Sequence, residues 1–241
     1  MSEEKLIEHT GNVVEIIKNK SLTWKQKAKR FVEEIIVIVI AISLTLLFHN
    51  WNDARHEKKI VREFLTGIVT DLNGTADDLE NSLKSFQPTI DYYDTVWKQI
   101  MTNTIKPSFI DSNSDYLRNT SYFVFDDGRF QGFQSSGYLR LIENQDLLKH
   151  LVTLYTVHMP FERDADINMF RTRETDYNVY IGTKASTDSN GIQLSGLLKD
   201  QAVKYQISRY VEYFDERKRH KQWLIKKIRE MATEIEKDLG K

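Results

Sequence analysis

The chain has 241 residues, and its 34 basic and 35 acidic side chains nearly cancel to a formal net charge of −1. Such a balance gives no overall attraction to nucleic acid, so no nucleic-acid partner is expected. The absence of cysteine excludes disulfides, thiolate metal sites and cysteine nucleophiles. Ten glycines and three prolines are few for this length and favour an α-rich fold.

The most distinctive feature is an uncharged apolar run at residues 35–48. Residues 31–51, taken as a helix, rise roughly 30 Å, which matches the hydrocarbon core of a bilayer. The run is apolar around its whole circumference, whereas a surface helix of a soluble domain carries a polar stripe. We predict a cytoplasmic N-terminal segment at 1–30, a transmembrane helix at 31–51 and an extracytoplasmic helical domain at 52–241. The alternative is a core helix of a soluble protein.

Aromatic and basic residues flank this run. Two tryptophans lie 27 positions apart, roughly 40 Å along a helix and close to the full interface-to-interface span. Tryptophan favours that interfacial layer. The predicted membrane-interface anchors are Trp24, Trp51, Lys29 and Arg30.

Polar residues at the two edges of the helix are candidates for intramembrane-edge contacts. These are Glu33, Glu34 and Asn50. A carboxylate deep in lipid would be costly. Each glutamate follows a basic residue by four positions, so the simpler interpretation is an interfacial carboxylate beside a cation.

The charge bias across the run favours a cytoplasmic N-terminus, because cytoplasmic flanks carry more Lys and Arg. Six basic residues precede the run closely and four follow it. They are Lys18, Lys20, Lys25, Lys27, Lys29 and Arg30 before it, and Arg55, Lys58, Lys59 and Arg62 after it. In a bacterium, this orientation corresponds to a single-pass protein of the inner membrane with a periplasmic domain.

Beyond Trp51, apolar residues recur at three- and four-residue spacing up to Leu83, which predicts a long amphipathic helix ended by Pro88. The remaining elements are predicted from periodicity and turn residues. They are a helix at 89–103, a loop at 106–120, a short strand at 122–125, helical regions at 130–155 and 164–180, and a loop at 182–196.

The last predicted helix spans 198–238 and contains neither glycine nor proline. Its two apolar patches are separated by a wholly polar stretch at 215–222. Either this stretch crosses a solvent gap, or the two halves of the helix pack on different parts of the protein. The basic run 217–221 is interpreted as a solvated face, with contact to anionic lipid or nucleic acid as the alternative. The overall prediction is a mainly α fold, in which an N-terminal transmembrane helix continues into an antiparallel helical bundle.

Two stretches resemble a known family. The first runs from Glu34 through the apolar run to Asn50-Trp51-Asn52 and Arg55. The second comprises Ser136-Gly137, Leu139, Leu141-Ile142, Asn144, Leu147 and Leu154-Tyr155. Together they are similar to the bacterial single-pass membrane proteins catalogued as domain of unknown function 6090. The resemblance implies a bacterial envelope protein and no particular activity.

No catalytic or metal-binding motif in the sequence predicts a cofactor or a metal. Asp164 to Asn168 begins like a calcium loop, but Met169 stands where the turn needs glycine. No two histidines have the spacing of a helical zinc site. We therefore predict an interaction, sensing or scaffold module that contacts the bilayer and either a protein partner or a second copy. The alternative is a membrane-bound hydrolase with dispersed carboxylates, for which the candidates are Asp126, Asp127, Glu162 and Asp164.

Overall fold

A computed structural model describes residues 24–117, 119, 122–188 and 191–240. Its elements are almost all helical, so the prediction of a mainly α fold is confirmed. The chain divides into two compact units, Met1–Val61 and Arg62–Lys241. The predicted segment before residue 24 lies outside the described residues.

In the first unit, the described residues belong to the N-terminal part of helix α1, which runs Trp24–Met101. From Phe31 onward this helix is long and apolar enough to cross a membrane, and the most apolar window has none of its residues buried. Its large side chains are exposed on every face, among them Ile36 (49%), Ile40 (53%) and Leu47 (64%).

The α1 residues of the second unit continue through Pro88 without a break, so the predicted helix end at that proline is wrong. Proline removes one backbone hydrogen bond, to the carbonyl four residues earlier. Both Pro88 and Lys84 are exposed, so that carbonyl lies on the solvent side. The next turns bury Ile90, Tyr93 and Val96, and this burial outweighs a helix penalty of about 3 kcal/mol.

Short elements follow α1. They are α2 (Pro107–Ser112), a 3₁₀ turn (Ser114–Leu117), α3 (Gly128–Ser135) and a second 3₁₀ turn (Tyr138–Leu141). Residues 122–127 have no regular structure, so the predicted strand at 122–125 is wrong. The amide of Phe123 donates to a side chain, Asp166, rather than to a neighbouring strand. Gly137 precedes the second 3₁₀ turn at φ 71°, a left-handed conformation that favours glycine.

A nearly continuous helical stretch spans residues 145–184. Its parts are α4 (Gln145–Thr153), a π turn (Leu154–His158), α5 (Met159–Thr172), a second π turn (Arg173–Tyr177) and α6 (Asn178–Lys184). The predicted loop after it contains an antiparallel hairpin, β1 (Ser186–Asp188) and β2 (Gly191–Gln193), in which Thr187 pairs with Ile192. A third 3₁₀ turn, Ser195–Lys199, leads into helix α7, Gln201–Asp238.

Helix α7 packs against the α1 residues of the same unit. Arg229 donates to Asp77. The ring centroids of Phe86 and Phe214 lie 5.2 Å apart, and those of Tyr93 and Tyr210 lie 5.7 Å apart. Because the α7 partner numbers fall as the α1 numbers rise, this pair of helices is antiparallel. The description of the whole domain as an antiparallel bundle stays a prediction.

Candidate functional site

Two acidic side chains of α5 are buried inside the second unit. Glu162 is 0% exposed and Asp166 is 5% exposed. They are four positions apart in the sequence, so both lie on one face of the helix. A carboxylate removed from water needs paired charge and hydrogen bonds, and this face of α5 meets α7.

Arg217 and Lys221 of α7 provide the opposite charges, also at a four-residue spacing and each 7% exposed. The Arg217 guanidinium contacts Glu162, and its Nε lies 3.7 Å from Asp166 Oδ1. Lys221 Nζ lies 2.7 Å from Asp166 Oδ2 and 3.9 Å from Glu162 Oε1. We call Glu162, Asp166, Arg217 and Lys221 the ionic cluster. Its two carboxylates face two cations, so its formal charges balance.

The basic stretch contributes a third side chain at the edge of the ionic cluster. His220 Nδ1 contacts Glu162 Oε2, and the His220 side chain is 27% exposed. The ring of His220 also lies beside Trp223, at a centroid distance of 5.2 Å. His158 packs edge-on against the same tryptophan at 4.9 Å. Burial, followed by the charges of His220 and Lys227, lowers the pKa of the His158 imidazole below its usual value.

The ionic cluster also holds the irregular segment before α3. Asp166 Oδ2 accepts a hydrogen bond from the Phe123 amide at 2.9 Å. Nearby, Arg173 is 1% exposed and donates to the carbonyl of Asn119 at 2.7 Å. The Phe123 amide, which has no strand partner, is therefore satisfied by the Asp166 side chain of α5.

The polar interruption in α7 is thus a buried contact, so the prediction that it crosses a solvent gap is wrong. The alternative agrees with the packing of the two halves: Phe214 belongs to a core cluster with Tyr93, whereas Glu234 contacts His150 of α4.

The interpretation of 217–221 as a solvated face is wrong at its two ends, although Arg219 between them is exposed. The buried positions of α7 alternate in steps of three and four through the polar stretch. They are Val203, Ile207, Tyr210, Phe214, Arg217, Lys221, Leu224, Ile228, Met231 and Ile235, together with Ala232. This heptad spacing was the available signal, because it continues through the stretch and assigns Arg217 and Lys221 to core positions.

The four carboxylates predicted for a dispersed hydrolase site have different surroundings. Only Glu162 is buried; Asp126 and Asp164 are exposed and Asp127 is half-buried. Asp126 accepts from the Gly128 amide, and Asp164 pairs with Arg163. In the part of the chain that the structure describes, the other buried carboxylate is Asp166, which lies in the stretch that begins like a calcium loop and is not among the predicted hydrolase residues. Among the described residues, no group of three or more His, Asp or Glu side chains is arranged to hold a metal ion.

The predicted membrane-interface residues all belong to the first unit. Trp24 is 81% exposed and Trp51 is 58% exposed. The Arg55 guanidinium lies 4.8 Å from the centroid of the Trp51 ring. Lys29 Nζ lies 3.8 Å from Glu33.

The other predicted edge residues show a range of exposure. Glu34 is partly exposed and Asn50 is exposed, while the Arg30 side chain lies outside the described part. The roles predicted for these residues depend on a bilayer and stay predictions.

The comparisons with known proteins give no relative: no family model, no curated protein and no solved structure matches this chain. The resemblance to the domain of unknown function 6090 family stays a prediction.

Proposed function

We propose that this chain is a membrane-anchored helical module that senses or scaffolds a partner in a bacterial inner membrane. In this proposal, residues 31–51 span the bilayer, the N-terminus is cytoplasmic, and the helical domain lies on the periplasmic side. The observation that carries the proposal is the exposure of every face of the apolar run in α1.

The free energy of transfer from water to lipid favours insertion of this run into a bilayer. An isolated helix with so many exposed Ile, Leu and Val side chains is unfavourable in water, and a contiguous patch of that size marks a partner or a membrane. In a bilayer, each such residue at the helix centre contributes roughly −0.3 to −0.6 kcal/mol. The uncharged run at 35–48 therefore gains on the order of several kcal/mol by insertion.

The domain itself supports binding better than catalysis. The buried carboxylates of the ionic cluster already pair with Arg217 and Lys221, an arrangement that specifies helix register more directly than it activates a substrate. Large apolar side chains near the cluster remain exposed, including Val157 (53%), Phe161 (57%) and Trp223 (37%). Exposed aromatic groups of this kind are typical anchors of protein interfaces.

The proposed orientation has a direct test, because the chain contains no cysteine. Single cysteines at Lys25 and Lys226, both exposed, would be treated in intact bacterial cells with a membrane-impermeant maleimide. We expect K226C to be labelled and K25C to be labelled only after lysis. The reverse pattern contradicts the proposed orientation.

The partner is tested by purification in mild detergent, with the mass of the complex measured by light scattering. We expect the chain to elute with a second protein or as a multiple of its own 28.4 kDa. Phe161→Ser is expected to release that partner, whereas Lys226→Ser, at another exposed position, leaves it bound. A solitary monomer under all conditions contradicts the scaffold role.

A further inference from the structure

A stretch of basic residues immediately precedes the apolar run of α1. Residues 18–32 contain six Lys or Arg and no Asp or Glu, and the next acidic residues are Glu33 and Glu34. The latter part of this stretch opens α1, in which Lys25 and Lys29 are exposed. We call the four basic residues of this first part of α1 the basic collar. They are Lys25, Lys27, Lys29 and Arg30.

The basic collar lies at the depth of lipid headgroups in the proposed topology. With the span starting at residue 31, positions 25–30 extend roughly 2 to 9 Å beyond it along the helix. The headgroup layer on each side of a bilayer is roughly 5–7 Å thick. Trp24, one position further out, is 81% exposed, and tryptophan favours the same layer. The collar therefore coincides with the layer that holds the phosphate groups.

Acidic residues of the same helix offset little of the positive charge. Lys29 Nζ lies 3.8 Å from Glu33, but the two side chains are 79% and 59% exposed. An exposed pair of this kind is weak and is screened by salt. Six basic against two acidic residues leave positions 18–34 with an excess of four positive charges.

The opposite flank of the apolar run has a different charge pattern. Residues 49–63 contain four Lys or Arg and three Asp or Glu, so their charges nearly cancel. The Arg55 guanidinium there lies against the ring of Trp51, 4.8 Å from its centroid. The excess of cations is thus confined to one end of the proposed span. A cluster of this kind next to a span is attracted to acidic lipids within about a Debye length.

We propose that the basic collar binds the headgroups of anionic phospholipids in the leaflet next to residue 31. In the orientation proposed above, this is the cytoplasmic leaflet. The proposal rests on the membrane span of the proposed function and adds the chemical class of the lipid. Ammonium and guanidinium groups donate charge-assisted hydrogen bonds to phosphate oxygens.

The apolar residues that follow the collar favour a lipid over other anions. Phe31 and Val32 are 36% and 52% exposed, and the acyl chains of a bound lipid would lie against them. A nucleic acid matches the charge of the collar, but it leaves these apolar side chains uncovered. A phospholipid provides both the phosphate and the apolar surface in one molecule.

The test measures quenching of tryptophan fluorescence by brominated lipids in nanodiscs that hold the full-length protein. The discs consist of phosphatidylcholine with an equal mole fraction of either brominated phosphatidylglycerol or brominated phosphatidylcholine. The signal of Trp24 is the difference between the unaltered protein and Trp24→Phe. Because both leaflets have the same composition, the orientation of the chain does not affect the result. We expect phosphatidylglycerol to be preferred roughly fivefold beside Trp24, and high salt to remove most of this preference.

A combined variant removes the charge of the collar at its four positions, and a matched control alters exposed cations of the opposite flank. We expect the collar variant to reduce the preference at Trp24 to about one, and the control to leave it unchanged. The collar variant carries K25Q, K27Q, K29Q and R30Q, and the control carries K58Q, K59Q and R62Q.

The outcomes separate this proposal from the membrane anchor. Equal quenching by the two brominated lipids overturns the lipid preference and leaves the span standing, whereas no quenching of Trp24 by either lipid overturns both. An undiminished preference in the collar variant overturns the assignment to the collar. Displacement of the phosphatidylglycerol-dependent quenching by a single-stranded oligonucleotide would assign the collar to a nucleic acid instead.

Discussion

Neutralising Glu162 tests whether the polar stretch of α7 is buried. Glu162→Gln keeps the side-chain shape and removes one of two negative charges that face Arg217 and Lys221. Glu162 is fully buried and the Arg217 side chain is 8% exposed, so the cation left behind has little access to water. Breaking a buried pair from one side costs about 3–5 kcal/mol. We expect E162Q to lower the free energy of unfolding by that amount in urea denaturation of the full-length protein in detergent.

The matched control is the exposed pair Asp215–Arg219 on the same helix, with side chains 69% and 71% exposed and 3.4 Å apart. Exposed pairs contribute about 0–1 kcal/mol, so Asp215→Asn should have little effect. Adding Arg217→Met to E162Q removes the uncompensated cation, and we expect the double variant to recover part of the lost stability. If E162Q costs no more than D215N, the polar stretch faces solvent and the ionic cluster is not a core contact.

Further predictions concern single contacts and pH. Asp111 accepts hydrogen bonds from the Leu194 and Ser195 amides at 2.7 and 2.8 Å; Asp111→Ala should therefore cost about 1.5–3 kcal/mol in urea denaturation, while an unchanged midpoint would show that this loop is not held by the carboxylate. Burial raises the pKa of Tyr93 from 10.0 to about 12. The folded state therefore keeps this proton while the unfolded state loses it, and stability should fall as pH rises from 10 to 12. Tyr93→Phe should remove this residue's share of the fall, about 1.4 kcal/mol per pKa unit, while the other tyrosines whose pKa burial raises, among them Tyr92 and Tyr155, keep theirs; a variant with the same alkaline slope would contradict the burial of Tyr93. For His158, whose folded pKa is lowered, stability should be complete above about 6.5 and fall as pH drops below it. A His158→Gln variant with an unchanged acid slope in the same denaturation assay would refute this reasoning.

The helical content follows from local sequence signals. Periodic apolar residues and scarce helix breakers predicted α1 and α7 because a continuous apolar stripe reports local geometry directly. The helix end predicted at Pro88 is wrong because local sequence reports only the proline penalty of about 3 kcal/mol. The burial around Tyr93 that offsets this penalty depends on tertiary packing. No local signal reports how much burial follows a proline.

The ionic cluster lies beyond local rules for a different reason. A charged residue in a helix is most often solvated. The sequence of α7 alone does not indicate that Glu162 and Asp166 of α5 lie opposite Arg217 and Lys221. The heptad spacing of α7 does place Arg217 and Lys221 in the core stripe, and α5 carries two acids at the same four-residue spacing. Reading the two patterns together would have suggested the pairing, although the contact itself depends on tertiary packing.

In the proposed function, residues 31–51 hold the chain in a membrane. The direct measurement is extraction of membranes that contain the full-length protein with alkaline carbonate, followed by high-speed centrifugation. We expect the protein in the pellet, and we expect a variant with Ile38→Arg and Ile42→Arg in the supernatant, because charge at the helix centre costs about 2.5–3.5 kcal/mol per residue. Recovery of the unaltered protein in the supernatant without detergent would contradict the membrane anchor.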